Sequence, residues 1–386
     1  MKLVPSSDLM KLKINFPKGL FLVGFTDTLG NGFSAAFWFL IAGFLLPEEY
    51  GEISYVIGIA SLISMATLFG TQNTLVVYNA KNIKLNSTFN TISMLGGLLA
   101  LVVVGIFQNR LDVGFLILGY ILSILGSGYI LGKKNYKDYT KLVLSQKILT
   151  FVLGIGFYFA FGPESIIIAL ALTYVGYSYI VYRGFRDSTF NLSLLKEKLG
   201  FVINNYAISV STALDGQIDK LIIAPILGFV LLGNYSLALQ VVTILFVIPG
   251  IVFKYTLSHD ATGNRNKKLK MYTILIGVVT CILTIILAPL VIPSLFPKYD
   301  DVVPAIQIMS IDVIPATIAI FYVSKLLGME KSKYILIGKL TKISTFVIGF
   351  VILGLTYGII GLAISFVLAQ TVEVLIYLSL RKKIPD

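Results

Sequence analysis

A stretch of about 20 apolar residues recurs almost without pause from residue 19 to residue 380, and this constrains the chain more than any other feature. Each stretch is long enough to cross a ~30 Å hydrocarbon core at ~1.5 Å per residue. Twelve can be delimited, at 19–46, 52–79, 88–107, 113–131, 142–161, 166–182, 199–227, 233–257, 271–292, 304–327, 335–356 and 358–380. No soluble domain fits between them. They are continuous and rich in Leu, Ile, Val and Gly rather than short and alternating in polarity, so helices, not a closed barrel, must satisfy the backbone in lipid. With 13% of its residues charged, against ~25% in a typical soluble protein, the chain is expected to be an all-α integral membrane protein.

Lysine and arginine orient it. Of the 31 such residues, 23 fall in the termini and in alternate loops, two (Arg110 and Lys298) in the opposite loops, and six (Lys147, Lys220, Lys254, Lys325, Lys339 and Lys342) within the apolar stretches. The positive-inside rule then places both termini in the cytoplasm and supports an even number of crossings. Topology determinants and attraction to anionic membrane lipid account for most of the net charge of +12, so no nucleic-acid partner is called for. The basic stretches GKKNYKDYTK (132–141) and GNRNKKLK (263–270) read as solvated loops. The first 18 residues carry four lysines but no apolar core ahead of a small-residue cleavage site, which argues against a removed signal peptide.

The chain also repeats. AGFLLPEEYGEIS around Gly51 and APILGFVLLGNYS around Gly233 share Ala42, Gly51 and Ser54 with Ala224, Gly233 and Ser236, each 182 positions later and close to half of 386. Six crossings per half give the halves the same orientation, related by an axis along the membrane normal. The expected organisation is an N-terminal six-helix bundle over 1–182, a cytoplasmic connector with a short surface helix over 183–198 and a C-terminal six-helix bundle over 199–386, enclosing a central cavity.

Charges inside the spans single out the candidate site, because each costs ~2.5–3.5 kcal/mol near the bilayer centre unless it is paired or faces water. The stretch LDGQIDKLIIAPILG (214–228) carries three. Asp215 and Asp219, four apart, share a helix face, with Lys220 on the adjacent one. Two readings are open: Lys220 locks the bundle through an acid on a neighbouring helix, or it lines the cavity and attracts an anionic group while Asp219 or Asp215 keeps it charged or takes up a coupling proton. Asp27 and Asn31 share a face of the first helix, beside glycines at 24, 30 and 32. Asp312 and Glu373 lie in the tenth and twelfth stretches. Lys147, Lys254, Lys325, Lys339 and Lys342 lie near cytoplasmic helix ends, where they can snorkel to headgroups, although Lys339, Lys342 and Lys147 together would also make a basic vestibule suited to a phosphorylated lipid.

Several functions are disfavoured. The only His, His259, is expected in a cytoplasmic loop, which leaves no Ser/His/Asp chemistry and no structural metal pattern. There is no GxxxxGK[ST] motif. Cys281, the single cysteine, reads as packing. The sequon Asn86-Ser87-Thr88 falls on the expected cytoplasmic side. Neither an enzyme nor a cofactor is indicated.

IDKLIIAPILG followed by VLLGNYSLA (218–238) resembles the seventh-helix pattern of the polysaccharide flippases of the multidrug/oligosaccharidyl-lipid/polysaccharide (MOP) exporter superfamily, through Asp219, Lys220, Gly228, Gly233, Tyr235 and Ser236. LLPEEYGEISYVIG is similar to the first turn of that family through Pro47, Glu48, Tyr50 and Gly51, SLFPKYDDVVPAIQIMSI (294–311) to the start of helix 10, and GLTYGIIGLAISFVLAQ (354–370) to the hairpin between helices 11 and 12. Gly43 stands where many relatives carry an Arg, and only twelve of the fourteen helices of the lipid II flippase branch are expected here.

The resemblance implies a flippase that moves a polyprenyl-phosphate- or pyrophosphate-linked oligosaccharide between leaflets by alternating access. The residues expected to bind it are Lys220, Asp219, Asp215, Asp27, Asn31, Lys147, Lys339 and Lys342. Asp27, Asp215 and Glu373 are candidates for coupling H+ or Na+. A multidrug exporter of the same fold and a lipid II flippase remain the alternatives. A glycan polymerase would need a large outward loop, and the longest here is about a dozen residues.

Overall fold

A computed structural model describes residues 18–69, 72–261, 266–299, 301–329 and 331–380, and these are helical with no strand among them. The helices are α1 (Lys18–Phe44), α2 (Pro47–Thr67), α3 (Gln72–Ala80), α4 (Asn86–Phe107), α5 (Leu111–Gly132), α6 (Tyr136–Phe161), α7 (Ser165–Leu172), α8 (Val175–Arg186), α9 (Leu192–Glu197), α10 (Leu199–Leu227), α11 (Phe229–Leu245), α12 (Val247–Ala261), α13 (Lys267–Leu295), α14 (Val302–Ser310), α15 (Val313–Gly328) and α16 (Ser332–Ser379). Of the cations that orient the chain, Lys2, Lys11, Lys13, Arg265, Arg381, Lys382 and Lys383 lie outside the described residues.

Seven spans are long and apolar enough to cross a bilayer, α7–α8 and α14–α15 each forming one, and the bent pairs α2–α3 (42°) and α11–α12 (48°) pass together. One of the seven, α16, has 48 residues, which at ~1.5 Å per residue is twice what a ~30 Å core accommodates. It folds back on itself at Gly358, whose φ of +57° is open to a residue without a Cβ. The two arms then close tightly, with Gly349 against Ser365, Gly354 against Leu362 and Gly338 against Tyr377. The two remaining long helices, α1 with 27 residues and α10 with 29, are not among these seven and carry Asp27 and Asp215, Asp219 and Lys220 within them. Together these make twelve crossings in two six-helix halves. The expected surface helix between them is α9. Position 259, expected in a loop, falls in the last turn of α12, because that helix continues past its apolar stretch.

The halves meet through α2 and α11, and the repeat explains how. At the turn before α2, Pro47 occupies the first helical position and Glu49 accepts the Leu46 N–H at 2.7 Å. At the equivalent turn before α11 the same change of direction is made by Gly228, with φ +87°. A Cβ on Gly51 would run into the Phe229 carbonyl, and a Cβ on Gly233 into the Pro47 carbonyl. Phe229 is itself 182 positions after Pro47. Each half therefore presses its glycine onto the first turn of the other, the reciprocal contact that a two-fold axis requires.

Candidate functional site

Below this crossing, α1, α2, α10 and α11 enclose a cavity of about 260 Å³ lined by Trp38, Tyr50, Ser54, Ile57, Gln217, Lys220, Ser236, Leu239, Gln240 and Thr243. Among these lining residues one side chain is charged, Lys220. Its stem lies on α2, with Cδ and Cβ 3.2 and 3.3 Å from where a Cβ on Gly58 would stand. Its ammonium donates to the Gly216 carbonyl at 3.3 Å and to Asp219 Oδ1 at 3.4 Å. Asp219 is 5% exposed, and its Oδ1 also accepts the Lys220 backbone N–H at 2.8 Å. The carboxylate therefore balances a nearby ammonium through a long contact. Two polar atoms of the lining, Gln217 Oε1 and Ser236 Oγ, are buried without a hydrogen-bond partner in the protein.

The other candidates separate into two groups. In the C-terminal half, Asp215 turns away from Lys220 and pairs with Lys342 of α16 at 3.1 Å. Glu373 and Asp312 are electrostatic neighbours of the same lysine. Glu373, 5% exposed, accepts from Gln370 Nε2 and from the Tyr377 hydroxyl, both at 2.8 Å. Asp312, 2% exposed, sits where α14 gives way to α15, and its Oδ1 has no hydrogen-bond partner. In the N-terminal half, Asp27 accepts from the Tyr139 hydroxyl of α6 at 3.2 Å, and the Lys147 stem packs on Gly30 one turn along α1. Asn31 is exposed and Lys339 half-buried. Lys220 thus takes its acid from its own helix, and the lysines expected to form one vestibule lie on two helices, α6 and α16, with Lys342 held by Asp215.

The cavity is roofed at the face that carries the α1–α2 and α10–α11 turns. Tyr50, part of the lining, packs edge-on against Tyr299 at 6.3 Å, Phe39 meets Phe296 at 5.9 Å, and Lys298 Nζ donates to the Phe44 carbonyl at 2.7 Å. The segment between α13 and α14 of one half thereby covers the end of α1 from the other. Thr243, ~20 Å along α11 from that face, is exposed, so the cavity opens away from the roof.

Sequence reasoning missed Trp38, Gln217 and Tyr50. The repeat could have found the first: an offset of 182 from Lys220 leads back to Trp38, the single tryptophan of the chain.

Two six-helix halves around a central cavity that opens to one side define a polytopic membrane protein with the MOP exporter fold. That fold is shared with an inward-facing multidrug resistance MATE family transporter of the MOP superfamily (TM-score 0.67, 16% identity, 92% of this chain and 94% of that one). It is also shared with the lipid II flippase MurJ in an inward closed conformation (0.62, 14%, 95% and 87%). A third is a MOP superfamily transporter from Pyrococcus furiosus Vc1, described as having a binding pocket of reverse polarity (0.59, 16%, 100% and 99%). The family of polysaccharide biosynthesis proteins matches residues 40–252, and the chain belongs to that family. No curated protein sequence matches it.

Proposed function

We propose that this protein is a flippase rather than an enzyme. It carries a polyprenyl-phosphate- or pyrophosphate-linked oligosaccharide from the cytoplasmic to the outer leaflet of the cell membrane, for cell-surface polysaccharide or glycoprotein assembly. The observation that carries this reading is the single charge in the cavity wall, the Lys220 ammonium, set among neutral hydroxyl and amide groups. An anionic phosphate displaces the long contact to Asp219 and gains a charge-assisted hydrogen bond, while the glycan meets Ser54, Ser236, Gln217 and Gln240. The lipid tail stays in the bilayer. An exporter of organic cations would need a carboxylate in the wall, and among the described residues Asp27, Asp215 and Glu373 are engaged elsewhere.

Transport is by rocking of the bundles 1–182 and 199–386 about the α2–α11 crossing, with 183–198 as their tether. Both termini lie in the cytoplasm and the roofed face is outward, so the conformation described is open to the cytoplasm. Lys147, Lys339 and Lys342, with Asn31, meet the phosphorylated head on entry. Asp27, Asp215 and Glu373 are the groups through which H+ or Na+ would bias the two states.

The test is outward flipping of a labelled polyprenyl-pyrophosphate oligosaccharide in proteoliposomes, against protein-free vesicles. A charge-assisted hydrogen bond contributes ~1.5–3 kcal/mol, so Lys220→Ala should fold normally and flip roughly 10- to 100-fold more slowly. Absence of flipping under an imposed proton or sodium gradient with several glycans, together with uptake of an organic cation, would overturn the proposal. Normal flipping by a stable Lys220→Ala protein would reduce Lys220 to a packing partner.

A further inference from the structure

The offset that pairs Gly51 with Gly233 also pairs Ser54 with Ser236, Ile57 with Leu239 and Trp38 with Lys220. All six of the latter line the same cavity. Its frame is therefore symmetric, and its chemistry is not: where one half presents an ammonium, the other presents an indole. The indole is held in place, with Phe37 edge-on at 5.0 Å and Tyr50 at 6.1 Å, interplanar angles 69° and 68°. A simple anion has no use for this asymmetry. A ligand with an apolar face beside a charged group does.

Resting on the flippase reading above, we propose that Trp38 is the stacking platform for the sugar ring attached directly to the phosphate, so that the cavity recognises a pyranose-phosphate unit and not phosphate alone. The C–H groups on one face of a pyranose are weakly electropositive and suit the negative face of an indole, as in other contacts of the aromatic quadrupole. The neutral polar lining suits the hydroxyls, and the buried, unpartnered Ser236 Oγ (the residue is 8% exposed) and Gln217 Oε1 are the atoms that gain most from a hydroxyl, since an unmade buried hydrogen bond is costly. Size agrees: about 260 Å³ falls below the ~300–1,000 Å³ of a pocket that engulfs a drug-sized ligand, which leaves room for one sugar and its phosphate while the rest of the glycan extends towards Thr243.

Trp38 is the only tryptophan, so intrinsic fluorescence reports on this wall directly. The purified protein in nanodiscs is titrated with farnesyl pyrophosphate and with the same lipid carrying one N-acetylhexosamine, by emission and by calorimetry. The sugar-bearing lipid should shift Trp38 emission and bind about 10-fold tighter, ~1.4 kcal/mol, whereas the sugar-free lipid binds without the shift. Trp38→Leu should abolish that 10-fold preference, Trp38→Phe should keep part of it, and Lys220→Ala should weaken both lipids alike. Equal binding of the two lipids, or sugar binding that leaves the emission unmoved, overturns the Trp38 role while the flippase reading stands. Failure of both lipids to bind, with no flipping, overturns the flippase reading and this inference with it. Should Trp38→Leu fail to fold, the wild-type emission and Trp38→Phe decide alone.

Discussion

The Asp219–Lys220 pair is an unusual ion pair, because adjacent residues on a helix point about 100° apart. Asp219 bridges the gap by accepting the backbone N–H of Lys220, which leaves the ammonium 3.4 Å away and half-committed. A loosely held cation can be handed to an anion and taken back. Asp219→Asn removes the competing charge, so it should tighten binding of a lipid pyrophosphate several-fold and slow its release, seen as lower KM and lower turnover in the flipping assay. Gly58→Ala places a methyl against the Lys220 stem at 3.2 Å and should weaken transport with little effect on thermal stability. Spacing alone correctly puts Asp215 and Asp219 on one helix face. It cannot say that one serves Lys220 and the other Lys342, because α10 lies between α2 and α16 and each turn of it meets a different neighbour.

Among the elements, the α2–α11 crossing is the one whose details were written in the repeat. Gly51 and Gly233 stand out as the repeated residues whose Cβ would overlap a backbone carbonyl. Overpacking costs ~1–3 kcal/mol where side chains can yield, and a carbonyl cannot, so Gly51→Ala and Gly233→Ala should each destabilise by at least that amount. The two should be alike in magnitude, as measured by thermal unfolding in detergent. The charges of α1 and α10 were legible as well: both helices line the cavity, and Asp27 lies in one and Asp215, Asp219 and Lys220 in the other. Near the connector, Lys133 at the end of α5 binds Asp187 at 2.6 Å and, with the Tyr129 hydroxyl, holds its carboxyl below the usual range. A depressed carboxylate adds stability above its unfolded value, here 3.8, and loses it as pH falls through the lowered folded value. Both side chains are more than a third exposed, so the effect is below ~1 kcal/mol. Exchange protection of the connector amides should fall over that acid range, and Lys133→Ala should remove the dependence.

For the whole molecule, the roof over the cavity determines which side is open. Phe39, Phe44 and Tyr50 belong to one half, Phe296, Lys298 and Tyr299 to the other, so opening the roof means separating the halves at that face. The α2–α11 crossing lies beside it and is the pivot in the proposed rocking motion. On a Cys281→Ser background, where the only native cysteine is removed, Phe39→Cys with Phe296→Cys should be bridged by a short thiol-specific crosslinker with a reducible disulfide in its spacer, because the two ring centres lie 5.9 Å apart. Flipping should then stop and return on reduction of the spacer, whereas either single cysteine should leave it insensitive to the crosslinker. Unimpeded flipping by the crosslinked protein would mean that the halves do not part at this face.

By itself the sequence determined that the chain is helical and membrane-spanning, that it crosses twelve times and that it folds as a repeated pair. Hydrocarbon leaves the backbone no partner but its own helix, and both the length of each apolar stretch and the interval between repeats are local properties of the chain. The tertiary structure alone decided which charges meet, that an indole and the ammonium line one cavity, and which end is closed. Those outcomes depend on the register between helices, which is set where Gly51 and Gly233 let two backbones touch and which no single helix contains.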